Sequence, residues 1–174
     1  MFGPLAATGL LLAAPGCDLD LIDDDDDGDT PETAPQDEAG LELPEALDIA
    51  REQFPDATVI DAYLTDAAHW VIELYDDGTE FEVHVSRTDG SILEFDQDSL
   101  DAEDAIEASA AATLVRSSPG WLALIDTAEL TAGGSATEVD VDAEEGILEV
   151  YVEATATWVV EFDADGHVLD VDRD

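Results

Sequence analysis

Three histidines, one cysteine and 46 acidic residues are the side chains with which this 174-residue chain could do chemistry. His84 and His167 stand near carboxylates, so either could join them around a divalent cation. His69 opens an apolar segment. No H-x-x-x-H or H-E-x-x-H spacing occurs, and three solvent-exposed imidazoles are the simpler reading. Asp23, Asp25, Asp27 and Gly28 match the first half of a D-x-D-x-D-G calcium loop. The twelfth position of such a loop needs a bidentate Glu, and here it is Ala34. Glu144-Glu145 and the Asp163/Asp165 pair have the right types for general acid–base work. At this density of acids such pairs arise by chance, and they read as a solvated face. No nucleophile elbow, phosphate loop or dinucleotide fingerprint is present. Gly133-Gly134-Ser135 reads as a loop, and Trp121 and Trp158 read as core. The expectation is a protein that is not an enzyme, with no catalytic residue, no cofactor and no dedicated metal site.

The charge narrows the partners. The formal net charge is −42, and the four bases are Arg51, Arg87, Arg116 and Arg173, with no lysine. Such a surface repels phosphate backbones and anionic membranes, so no nucleic acid is expected. It favours basic partners, cation-rich surroundings and weak binding of divalent cations such as Ca. Apolar residues make up 45% of the chain, which is enough for a folded core. The single cysteine excludes an intrachain disulfide and a thiolate zinc site.

Residues 1–16 are apolar and uncharged. They fall short of the ~20 residues of a membrane-spanning helix and read as a secretory signal. Small residues, Gly16-Cys17 and then an acidic tail resemble a bacterial or archaeal lipoprotein signal. Ala14 stands where that pattern usually has Leu, Pro15 is unusual beside it, and the basic leading segment is missing. The resemblance implies cleavage before Cys17, lipidation of Cys17, and an exported protein lipid-anchored in the cell envelope, on its periplasmic or extracellular face. Residues 17–42 then form an acidic disordered linker, with 11 acids and no base up to Gly40.

Beyond the linker the hydrophobic period defines elements. In 43–54, Leu43, Ala46, Leu47, Ala50 and Phe54 recur at helical spacing, with Pro44 in the first turn and Pro55 as a stop. Alternation then predicts strands at 58–64, 69–75 and 80–86 and a closing strand through Leu93 and Phe95, with Asp76-Asp77-Gly78-Thr79 and Thr88-Asp89-Gly90-Ser91 as turns. Leu93 and Phe95 are expected to point inward. The second half repeats the plan. A helix is expected over 102–115 through Ala105, Ile106, Ser109, Ala110, Thr113 and Leu114. Strands are expected at 122–130, 137–142, 147–153, 157–162 and 167–171, with Leu169 and Val171 inward. The segment 54–64 parallels 118–130, and 81–98 parallels 158–174. The fold class is therefore α+β, in tandem units, each a helix packed on an antiparallel sheet of about four strands.

The helix with Ala46 and Ala50, the stop Phe54-Pro55-Asp56-Ala57 and the strands from Phe81 to Glu94 resemble the PepSY family. Residues 43–98 carry the resemblance well and 99–174 more loosely. It implies an exported binding or regulatory module that binds a protein partner, such as a peptidase or another envelope protein, with peptidase restraint among its proposed roles. It brings no catalytic residues. The rival expectation is an acidic surface protein that buffers divalent cations or is adapted to high salt.

Overall fold

The computed structural model describes residues 40–173. The expected signal, Cys17 and nearly all of the acidic linker lie outside the described residues. Eleven elements follow in order: α1 (Leu43–Gln53), β1 (Thr58–Leu64), β2 (His69–Asp76), β3 (Thr79–Ser86), β4 (Ile92–Ser99), α2 (Ala102–Ser117), α3 (Trp121–Ala132), β5 (Ser135–Asp142), β6 (Ile147–Glu153), β7 (Thr157–Phe162) and β8 (Val168–Arg173).

The eight strands form one antiparallel sheet in the order β4-β3-β2-β1-β5-β6-β7-β8. The two expected four-strand sheets are thus one sheet, joined where Ala62 of β1 pairs with Val139 of β5. Strands β1 and β5 would otherwise each present an open edge, and pairing them satisfies both rows of backbone groups. Helices α1 and α3 cover one face and share a single core with it, including Leu47, Ile72, Trp121, Val139 and Phe162. Helix α2 lies on the other face, over β1, β2 and β5. Its Ala108, Ala111 and Ala112 pack there with Ile60 and Tyr75.

Two sequence expectations are corrected in the second half. Residues 122–130 are helix α3, not a strand. Trp121, Leu124, Ile125 and Ala128 bury one helical stripe, and Gly120 and Gly133 cap its ends. That stripe has the spacing of Leu43, Ala46, Leu47 and Ala50 in α1. So α3 packs its apolar stripe on the sheet as α1 does, and α2 lies between β4 and α3 in the chain. The parallel drawn between 54–64 and 118–130 fails for this reason. Within α2, Ile106 is 73% exposed, and the buried stripe is Ala108, Ala111, Ala112 and Val115. Small residues won that face because they let the helix backbone approach the sheet.

The outer strands also depart from expectation. Leu93 and Phe95 of β4 and Leu169 of β8 are exposed, because these are the sheet edges, beyond the reach of α1 and α3. Phe95 is half covered and makes an aromatic contact with Phe54, at 5.3 Å between ring centres. Val171 does pack against the core as expected.

At the start of β5 the chain runs hard against β6. A Cβ on Gly134 would overlap the Glu153 carbonyl. Gly134→Ala is expected to cost ~2 kcal/mol, because backbone and not a yielding side chain must move. Urea unfolding of the variant checks this, and an unchanged midpoint would contradict it.

Candidate functional site

Along each strand the sequence alternates, so one face of the sheet is apolar and the other polar. The register lines the acids of the polar face up. Asp96 pairs with Glu82, Glu82 with Glu73, and Glu73 with Asp61. Across the central seam the Ala62–Val139 pairing sets Asp61 beside Asp140. Asp140 pairs with Glu149, Glu149 with Glu161, and Glu161 with Asp170. Every strand contributes one acid to a continuous row. At the usual ~4.8 Å between strands, the row is roughly 34 Å long. Like charges directly opposite one another are destabilising, so the row costs stability on its own.

In the middle of the row, α2 roofs a cleft of about 380 Å³, lined by Asp61, Glu73, Glu80, Asp104, Glu107 and Asp140 among others. The apolar part of its wall includes Ile60, Leu100 and Val141. Asp61 Oδ1 is buried there without a hydrogen-bond partner among the described residues. Burial first, and then Glu73, Asp140 and Glu138, push the Asp61 carboxyl up to about 7. Burial and neighbouring acids also raise Glu73, Glu80 and Glu138. Farther along the row, Tyr151 donates its hydroxyl to Glu149 Oε2 at 2.8 Å, and burial with that bond raises the phenol. The cleft offers cations many oxygen donors and offers substrates no nucleophile paired with a base.

The residues singled out in the sequence fall elsewhere. His84 is half-buried, and its Nε2 lies 2.6 Å from Glu82 Oε1. The β2–β3 register makes His84 a diagonal neighbour of His69, with ring centres 5.1 Å apart, so neither is the free surface imidazole expected. His167 is exposed, with Nδ1 3.2 Å from Asp163 Oδ2. Asp163, Asp165 and His167 gather in the β7–β8 turn closely enough to hold an ion. Asp163 Oδ1 there already accepts the backbone N–H groups of Asp165 and His167, which is the bonding of a turn. Glu144 and Glu145 lie in the β5–β6 turn and donate their backbone N–H groups to Asp142 Oδ1. Trp121 is wholly buried and Trp158 is half-buried. Asp23, Asp25, Asp27 and Cys17 are outside the described residues. The cleft acids were not singled out. Their signal was Asp61, a lone acid within the apolar run Thr58–Leu64.

Repulsion along this face should yield to screening. The melting temperature is expected to rise from low to molar salt. A flat or falling value in a thermal scan would contradict this.

An α+β protein with one eight-stranded antiparallel sheet, carrying two helices on one face and one on the other, is the class these features define. No known family pattern matches the chain. No curated protein matches it either. Among solved structures, a candidate lipoprotein from Clostridium difficile 630 is similar at 18% identity and TM-score 0.52, over 80% of this chain and 97% of that one. A periplasmic-protein candidate from Bacteroides eggerthii DSM 20697 is 15% identical over 77% of this chain and 90% of its own, at TM-score 0.29. A DUF2874 family protein from Bacteroides uniformis ATCC 8492 is 14% identical over 74% and 86%, at TM-score 0.27. The first of these shares the fold. Among the described residues, no helix is long and apolar enough to cross a membrane.

Proposed function

We propose that this chain is an exported, non-enzymatic envelope protein that docks a cationic protein partner on its carboxylate face. The observation that carries the reading is the row of acids crossing all eight strands, with only its centre roofed by α2. The apolar leader and Cys17 support export and lipid anchoring. The description of the Clostridium difficile protein as a lipoprotein candidate agrees with that. The helix-plus-four-strand repeat supports the PepSY reading, and through it a peptidase as the partner class.

The test compares the wild type with Glu82→Gln/Glu149→Gln/Glu161→Gln in host cells. The wild type should recover a peptidase from envelope extracts and lower secreted proteolysis, and the variant should do neither. No peptidase recovered and unchanged proteolysis would sink the reading. A Cys17→Ser chain that still incorporates a labelled lipid precursor would sink the anchor.

A second reading, buffering of divalent cations, is favoured by Asp61 Oδ1, which is buried without a partner among acids. Calorimetric titration with calcium separates the two. Saturable heat lost in Asp61→Asn supports buffering, and no heat at millimolar calcium counts against it.

A further inference from the structure

Among the described residues both edges of the sheet are open, but they differ. In β4, Val83 pairs with Phe95 and Val85 with Ile92, and a bulge sets Leu93 between them. Val83 and Val85 belong to the core under α1, so Ile92 and Phe95 lie on the α1 side. Ile92 is 41% exposed, Leu93 59% and Phe95 47%. Phe95 continues an aromatic ledge made by Phe54 and Phe81, whose ring centres are 4.6 Å apart. On the opposite side of the same strand, Glu94, Asp96 and Asp98 pair with His84, Glu82 and Glu80. From Glu94 to Ser99 the strand is regular, and among the described residues its outer backbone groups have no strand partner. In β8 the counterpart of Phe95 is Val171, which is tucked against the core. Val168 and Leu169 are exposed on β8 as Ile92 and Leu93 are on β4, so the difference between the two edges is the aromatic ledge that Phe95 continues at β4.

An open edge with an apolar side and an acidic side specifies its complement. We propose that β4 binds an extended segment of a partner protein in which apolar and basic residues alternate, added to the sheet as a ninth strand. The backbone of that segment completes the ladder. Its apolar side chains cover Ile92, Leu93 and Phe95, and its basic side chains face Glu94, Asp96 and Asp98. Charge excludes the rival occupants. A second copy would bring β4 acids against β4 acids, or against Asp170 and Asp172 of β8. The chain's own segment 18–40 has 11 acids and no base. The inference rests on the reading that the partner is a cationic protein, and it names where and in what conformation that partner is held.

The test titrates the full chain with a fluorescent peptide of alternating valine and lysine at low salt. Binding should slow amide exchange along β4 and leave β8 and the α2 cleft unchanged. The same peptide N-methylated at alternate residues, and a scrambled peptide with its valines and lysines in separate blocks, should bind at least about tenfold more weakly. Leu93→Thr/Phe95→Thr should weaken the alternating peptide similarly, at unchanged charge. Equal binding of all three peptides, protection away from β4, or a salt-induced dimer that buries β4 would overturn the proposal. The N-methylated peptide needs no variant protein, so misfolding cannot mimic the result. Glu149→Gln/Glu161→Gln, remote from β4, should keep peptide binding even where it loses the natural partner. Failure of the carboxylate-face reading and failure of the β4 inference are thus distinguishable.

Discussion

Trp121→Ala is expected to lower the unfolding free energy by ~3–5 kcal/mol, a large part of what a domain of this size possesses. Trp121 begins α3 in the second half of the fold and is wholly buried. Its Nε1 donates to the Val59 carbonyl of β1, in the first half, at 3.0 Å. Strand β1 is irregular between Val59 and Asp61, where its pairing with β2 shifts register. A shift of this kind takes backbone groups out of the ladder, and a buried carbonyl left unpaired is costly. The indole therefore fills volume between the two halves and satisfies a group that the bulge releases. Trp121→Phe keeps most of the volume and loses the bond, so a loss of ~1–3 kcal/mol is expected. Both variants should still unfold in one urea transition, because the two halves share a sheet and a core. Two separated transitions, or loss of signal from the second half alone, would show that each half folds by itself.

What the sequence disclosed follows from the range of the forces involved. Helix α1 and strands β1 to β4 were legible because their signals are local. Pro44, the helical recurrence from Leu43 to Ala50, and Gly78 and Gly90 at positive φ all act within a few residues. Helix α3 was misread because Leu122, Leu124 and Leu130 also suit a strand, and only packing against β5, β6 and β7 selects the helical stripe. The pairing of Ala62 with Val139 joins residues far apart in the chain and leaves no local mark. The same limit applies to the acids. Alternation placed them on one face, but the row depends on register across seven strand pairs. The cleft depends further on α2 crossing to that face, which its alanine stripe permits and does not announce. Exposure of Leu93 and Phe95 was hidden for the converse reason: alternation reads a face, and nothing in β4 itself says that α1 stops short of it.

Asp61→Asn is expected to stabilise the protein at about pH 8 by ~2 kcal/mol and to change little near pH 4. The native carboxyl titrates at about 7, whereas an unfolded aspartate titrates at ~3.9. Between those values the native state holds a proton that the unfolded state has released. Stability from this group is therefore fully present below ~4 and is lost as pH rises through about 7. The half-open cleft lets water screen the charge, so the net cost of ionisation falls below that of a fully buried acid. Glu73, Glu80 and Glu138 are shifted the same way, so the wild type should gain stability on mild acidification more steeply than one group allows. Urea unfolding of both proteins across this range is the measurement. An Asp61→Asn chain no more stable than wild type at about pH 8, or a gain that is equal at both ends, would show that Asp61 ionises without penalty. Calcium adds a second axis. A cation seated against Asp61 would remove the cost of its charge, so calcium should stabilise the wild type more than Asp61→Asn at about pH 8 and equally near pH 4. If the two respond alike at about pH 8, the cleft is a strained carboxylate cluster and not a cation site, and the carboxylate face is left to the protein partner.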